Sequence, residues 1–178
     1  MPRLFVAIRP PATVRQHLET LMHGLIGARW QDDDQLHITV RFIGEVDRHG
    51  ASDVAAALAR VAAPPMTLAP QGIGTFDRRG NVDALWAGVT RREPLAALHR
   101  KIDRACISVG LPPEGRAYLP HITLARFGRH APPVDSYLAA NAGYAGPSFT
   151  AKEFGLYKSI LGREGAVYHL AERYPLTD

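Results

Sequence analysis

The chain carries one short pattern twice, as His37-Ile38-Thr39-Val40 and as His121-Ile122-Thr123-Leu124. Each copy runs on through a basic residue, a phenylalanine and a glycine, giving HITVRFIG in the first half and HITLARFG in the second. A β-strand turns successive side chains to opposite faces, so His and Thr share one face while Ile and Val or Leu take the other. The apolar pair anchors such a strand in a core, and the polar pair looks out into a cleft. The setting repeats as well. Leu4–Ile8 reads as an apolar strand followed by a helical stretch before the first copy, and Ala84–Val89 followed by a second helical stretch precedes the other. One H-x-T-x match is weak by itself; two in the same order of elements require a duplicated architecture.

The spacing of apolar residues fills in the remaining elements. Pro10-Pro11 opens a helix with Val14, Leu18, Leu21 and Leu25 on one side, and His17 and His23 on its solvated flank. A second helix is expected over 54–61, capped by Ser52 or Asp53 and stopped by Pro64-Pro65. Met66 to Phe76 reads as a strand and Asp77 to Asp83 as a hairpin turn. Leu95, Leu98, Ile102, Cys106 and Val109 form the apolar face of a third helix, with Gly110 as its C-terminal cap. A loop over 112–115, a short helix near 134–140 and strands over 149–160 and 166–171, joined by the turn 162–165, complete the chain. The expectation is an α+β fold built from a duplicated β-α-β-α-β unit. Two pseudo-symmetric lobes, with antiparallel sheets, would line a central cleft within a single domain over 1–178.

Composition sets outer limits. The 178 residues, 46% hydrophobic and 21% charged, suit a soluble globular protein. The apolar run Leu4–Ile8 is too short for a signal h-region or a membrane span. A lone cysteine, Cys106, in a helical stretch fits a small core residue and a cytoplasmic protein. The formal net charge of +4 favours anionic partners without selecting among them.

Two facing H-x-T-x strands would place two imidazoles and two hydroxyls around one space. That set suits acid–base chemistry at a phosphodiester without a metal. His37 and His121 would move protons, and Thr39 and Thr123 would donate to non-bridging phosphate oxygens. Asp32-Asp33-Asp34 reads as a polar loop, ahead of a divalent-metal site. His49, His99, His130 and His169 lack zinc-site spacing and receive no role. The pairs Arg78-Arg79 and Arg91-Arg92 read as solvated turns or an RNA-tracking strip.

The chain resembles the two-histidine (2H) phosphoesterases, and within them the RNA 2′,3′-cyclic phosphodiesterase family, also called 2′-5′ RNA ligases. The resemblance rests on RLFVAI, Arg29-Trp30, LHITVRFIG, GIGTF, ALWAGV, LPHITLARF, and LYKSIL with Gly165 and Tyr168, over nearly the whole length. It implies a V-shaped cleft and metal-free hydrolysis of a terminal RNA 2′,3′-cyclic phosphate to a 2′-phosphate, with reversible 2′-5′ ligation through the same site. It also implies that His37 protonates the leaving 3′ oxygen and His121 activates water; the pseudo-symmetric pattern alone leaves those roles interchangeable. No cofactor is implied, and the expected protein is a monomer acting on RNA ends and on nucleotides. Arg126 matches a phosphate-assisting arginine of similar enzymes, although its odd offset from His121 points it away in a regular strand; either a bulge re-aims it or it supports the site indirectly. Arg41 has cleft parity in a regular strand and is taken as substrate-binding, with a solvated strand-end arginine as the alternative. Phe42 and Phe127 suit packing under the strand ends better than base stacking. Tyr157, Lys158, Ser159 and Tyr168 are candidates to line the cleft, and Tyr157 and Ser159 are taken as substrate-binding. The rival readings are a phosphodiesterase of small cyclic nucleotides and a non-catalytic RNA-binding module.

Overall fold

The structure, a computed structural model, describes residues 3–178. Among the described residues, ten strands and four α-helices follow the doubled order read from the sequence. The first half comprises β1 (Arg3–Ile8), α1 (Ala12–Glu19), β2 (Arg29–Trp30), β3 (Ile38–Glu45), α2 (Arg48–Leu58), β4 (Met66–Leu68) and β5 (Pro70–Arg78). The second comprises β6 (Asn81–Val89), α3 (Arg92–Ser108), β7 (His121–Arg126), α4 (Asp135–Ala140), β8 (Phe149–Ala151), β9 (Glu153–Gly162) and β10 (Gly165–Pro175).

The halves exchange their last strands. The end of the first half, β5, pairs with β6, whereas β9 from the end of the second half pairs back onto β1. The short strands β4 and β8, one from each half, pair with each other. The two expected sheets are thereby joined edge to edge as β10-β9-β1-β3-β7-β6-β5, with β2 on β7, in one eight-stranded sheet. The seam is narrow, since β3 and β7 meet at the single pair Ile38–Ile122.

Burial explains why this order holds. Every β1 residue from Leu4 to Ile8 is buried, as suits a strand covered on both faces. On the helical side, Leu95, Leu98, Ile102 and Cys106 of α3 join Val54 and Leu58 of α2 and the strand residues Ile38, Val40 and Ile122 in one core. Gly110 takes φ +95° just beyond α3, as its capping position requires.

Several boundaries move, each for a local reason. The first helix stops at Glu19, so Leu21 and Leu25 are buried from a turn rather than from a helix face. Tyr137 of α4 fastens that turn by donating its hydroxyl to the Leu21 carbonyl. The cap of α2 is Asp47, whose carboxylate accepts the Gly50 N–H at 2.7 Å; Ser52 and Asp53 lie inside the helix. The expected strands 66–76 and 149–160 each split in two, because the first three residues of each pair with one another as β4 and β8. The hairpin turn contracts to Arg79-Gly80, both at positive φ, and the flanking residues continue the β5–β6 ladder.

Candidate active site

The antiparallel register about Ile38–Ile122 sets His37 across from Thr123 and Thr39 across from His121. All four side chains share the face opposite the α2–α3 layer, while Ile38 and Ile122 point into the core with no exposure. The pseudo-twofold axis passes between the two isoleucines, and the H-x-T-x pairs form a crossed square around it.

Both imidazoles are turned by the same device. Nδ1 of His37 donates to the Gln35 carbonyl and Nδ1 of His121 to the Leu119 carbonyl, each at 2.7 Å and each two residues back. A carbonyl only accepts, so each Nδ1 carries the proton and each Nε2 is left toward the cleft. Nε2 of neutral His37 accepts from the Thr39 hydroxyl at 2.9 Å. Burial pushes His37 down to about 4, the Gln35 carbonyl opposes that shift, and His121, Arg126 and Arg9 add to it. Burial also lowers His121, against the Leu119 carbonyl and with the Arg126 charge.

The two arginines proposed for substrate contact part company. Both motif strands carry a bulge where the alternation breaks. The β1–β3 ladder steps from Ala7–Thr39 to Val6–Arg41, skipping Val40, and the β6–β7 ladder steps from Trp86–Thr123 to Leu85–Ala125, skipping Leu124. Each extra residue reverses parity. Arg126 is thereby brought to the cleft face, where its charge acts on His37, His121 and Tyr168. Arg41 is carried away from the cleft. It is 4% exposed, pairs with Asp103 of α3 at 2.9 Å, and donates to the carbonyls of Phe42 and Pro112. Arg41 is therefore no candidate for substrate contact, and the same bulge puts Phe42, rather than Arg41, on the cleft face beside Phe5, where the residue is 52% exposed. Phe127 is buried as expected.

Ladder positions also sort the last hairpin. Tyr157 stands beside Phe5 with rings stacked at 5.4 Å, and Ser159 pairs with Tyr168 and Arg3 on that same face. Tyr168 meets the His37 ring edge-on at 5.2 Å. Lys158 pairs with Leu4 and points to the other face. The aspartate run forms a 3₁₀ turn over Asp33–Gln35 with a capping box at Asp32; Arg9 and Arg15 both bind the Asp33 carboxylate. No cluster of three metal-ligating side chains occurs among the described residues.

Sequence reading missed the aromatic wall. Phe5 lies 4.9 Å from the His37 ring, and Phe76 meets the His121 ring edge-on at 4.9 Å, with Trp86 at 6.2 Å. The signal was a third repeat, glycine-x-aromatic, as Gly74-Thr75-Phe76 in β5 and Gly155-Leu156-Tyr157 in β9. In the ladders Gly74 pairs with Trp86 and Gly155 with Ala7, the β6 and β1 neighbours of Thr123 and Thr39. Trp86 lies across Gly74 so closely that a Cβ there would fall 2.3 Å from the indole ring.

The 2′-5′ RNA ligase superfamily model matches residues 9–163. The chain belongs to that superfamily. An RNA 2′,3′-cyclic phosphodiesterase of Thermus thermophilus is 30% identical over 98% of this chain and 90% of its own length. One from Geobacillus stearothermophilus is 33% identical over 83% of this chain, which spans about half of that relative, 47%. Among solved structures, Escherichia coli LigT complexed with 3′-AMP superposes with a TM-score of 0.81 at 26% identity, covering 100% of both chains.

Proposed function

We propose that this superfamily member hydrolyses the 2′,3′-cyclic phosphate at an RNA end by proton transfer between His37 and His121, leaving a 2′-phosphate. The observation that carries this reading is the matched pair of imidazoles, both fixed through Nδ1 to a carbonyl two residues back, with Nε2 of His37 bonded to Thr39. His121 takes a proton from the attacking water, and protonated His37 gives one to O3′ as the P–O3′ bond breaks. Thr39, Thr123 and Arg126 hold the non-bridging oxygens, where charge grows as phosphorus becomes five-coordinate. Tyr157, Ser159 and Tyr168 flank the ribose and base. The acid and base assignments and the choice of bond rest on resemblance to the family, because the paired H-x-T-x motifs by themselves leave the two roles interchangeable.

The substrate supplies the missing charge balance. Burial lowers both imidazoles, so that at neutral pH the uncharged forms prevail before substrate binds. A phosphodiester anion beside them favours the charged form, so binding brings in the proton that the acid later donates. A 5′-hydroxyl in place of water would make a 2′-5′ linkage through the same bond exchange, which accounts for ligation as a secondary outcome. The reading is tested by hydrolysing an oligonucleotide with a cyclic end and comparing the product with 2′- and 3′-phosphate standards by phosphorus NMR. The expected product is the 2′-phosphate, formed equally well after exhaustive chelation. A predominantly 3′-phosphate product would overturn the assignment of the broken bond, and an unreacted cyclic end would overturn the activity.

A further inference from the structure

Two side chains with no part in the chemistry above connect the first motif strand to the approach of the second. The Tyr118 hydroxyl donates to the Thr39 carbonyl at 2.9 Å, and Nδ1 of His99 donates to the Val40 carbonyl at 2.7 Å. These two carbonyls belong to the bulged segment of β3, beyond the only residue that pairs with β7. The donor rings stack face to face, with centroids 4.5 Å apart and planes 2° from parallel. One ring comes from α3 and the other from the loop that leads into β7.

The position of Tyr118 gives the contact its consequence. The next residue, Leu119, supplies the carbonyl that orients His121. At the other end, Thr39 is bonded to Nε2 of His37. A continuous line therefore runs from His37 through Thr39, Tyr118 and Leu119 to His121, crossing between the halves by a single hydrogen bond. Strand β3 itself pairs with β7 at Ile38–Ile122, and β2 adds Arg29–Arg126 and Trp30–Ala125 on the far side of the second motif, so neither ladder holds the bulged segment of β3 to the second half. Burial raises the Tyr118 hydroxyl well above its ordinary range, so it remains a donor throughout the working pH range.

From this geometry we propose that Tyr118 and His99 are a positioning pair that fixes the separation of the two imidazoles. They do so by clamping the bulge at Thr39–Val40 to the Tyr118–Leu119 turn. The kinetic consequence rests on the phosphodiesterase reading; the geometric one does not. Misplacement of reacting groups by a fraction of an ångström acts on the chemical step rather than on binding.

The test is Tyr118→Phe, which keeps the ring and its stack and removes only the hydroxyl. With a cyclic-ended oligonucleotide, kcat is expected to fall about tenfold while KM stays within about twofold of the parent value. His99→Phe, which keeps a stacking ring but loses the donor, should give a smaller fall of about threefold. The double variant should fall little below Tyr118→Phe alone, because the two act as a unit. In the free protein, imidazole ¹⁵N signals of both His37 and His121 should move in Tyr118→Phe. Unchanged kcat, or a lower melting temperature with unchanged imidazole signals, would reduce the pair to packing and overturn the proposal. If the parent protein leaves cyclic ends untouched, the activity reading fails and the imidazole signals alone decide the positioning pair.

Discussion

Strand β3, with His37 just ahead of it, and strand β7 carry nearly the same four residues, each bulges at the fourth, and yet they furnish the cleft differently. In β3 an arginine stands four residues after the histidine, and in β7 five residues after it. With parity reversed by the bulge, the fourth position faces the helices and the fifth faces the cleft. Arg41 therefore becomes a buried partner of Asp103, while its counterpart Ala125 is simply buried. Arg126 becomes a cleft cation, while its counterpart Phe42 is an exposed ring. The supports differ too. The carbonyl that orients His37 follows a 3₁₀ turn held by Arg9, Arg15 and Asp33, whereas the approach to His121 is held by Tyr118. Duplication supplies two equivalent imidazoles, and a one-residue difference in where the charge falls breaks their equivalence.

The largest effects should come where the strands agree. His37→Ala and His121→Ala should each lower kcat by roughly 10²–10⁴, with the double variant losing much less than the product. Single-turnover assays on a cyclic-ended oligonucleotide check this, and a variant retaining most of its activity would remove that histidine from the chemistry.

The arginines should separate function from stability. Arg126→Ala should lower kcat/KM by roughly 10–100-fold, the worth of one or two charge-assisted hydrogen bonds, with little change in Tm. Arg41→Ala strands the Asp103 carboxylate beside the core and should cost about 3 kcal/mol of stability. Denaturant unfolding beside kinetics checks the crossing. An Arg41→Ala protein that is stable but inactive would return that residue to the cleft.

The sequence made the doubled order, the shared face of His and Thr and the third-helix core readable because period and burial are local properties. What it concealed was non-local. Regular alternation sends Arg41 to the cleft and Arg126 away from it, and the ladders reverse both, since a bulge is defined by its neighbour strand and not by its own residues. His99 carried no metal spacing and thus no signal, although its ring reaches the Val40 carbonyl. The exchange of β5 and β9 between halves was equally hidden, because adjacent elements in sequence usually pair with each other. Arg126 was reachable in advance through the family resemblance alone, because alternation along its own strand points it away from the cleft.

The pH response should reveal the same asymmetry more gently. The free enzyme governs kcat/KM, and one imidazole must be charged there. Both are held below their ordinary value, with His37 at about 4, so the charged form is lost as pH rises through the acid range. The alkaline limb of kcat/KM should therefore lie below pH 6.5, and that of kcat higher, once the phosphate anion favours the charged imidazole. Arg126→Ala removes a charge that lowers both histidines and should move the kcat/KM limb upward. Stability carries the matching sign. The unfolded chain binds protons near pH 6.5 that folded His37 refuses, so stability is lost as pH falls from 6.5 toward 4. A kcat/KM limb unmoved in Arg126→Ala would place that arginine outside electrostatic reach of the imidazoles.

The smallest and most direct probe is to make the first strand imitate the second. Phe42→Arg puts a guanidinium at the position equivalent to Arg126, on a side chain open enough to accept it without disturbing the core. If the strands are equivalent apart from that residue, the added cation should strengthen attraction for the phosphate. The gain is limited because the site is half in water, where a unit charge is screened within about 10 Å at 0.1 M salt. KM for the cyclic-ended oligonucleotide should fall about twofold to threefold at low ionic strength and return to the parent value at 0.3 M, with kcat unchanged. A rise in KM that salt does not alter would show instead that the Phe42 ring itself contacts the RNA. The two strands would then differ in the kind of contact they make and not only in charge.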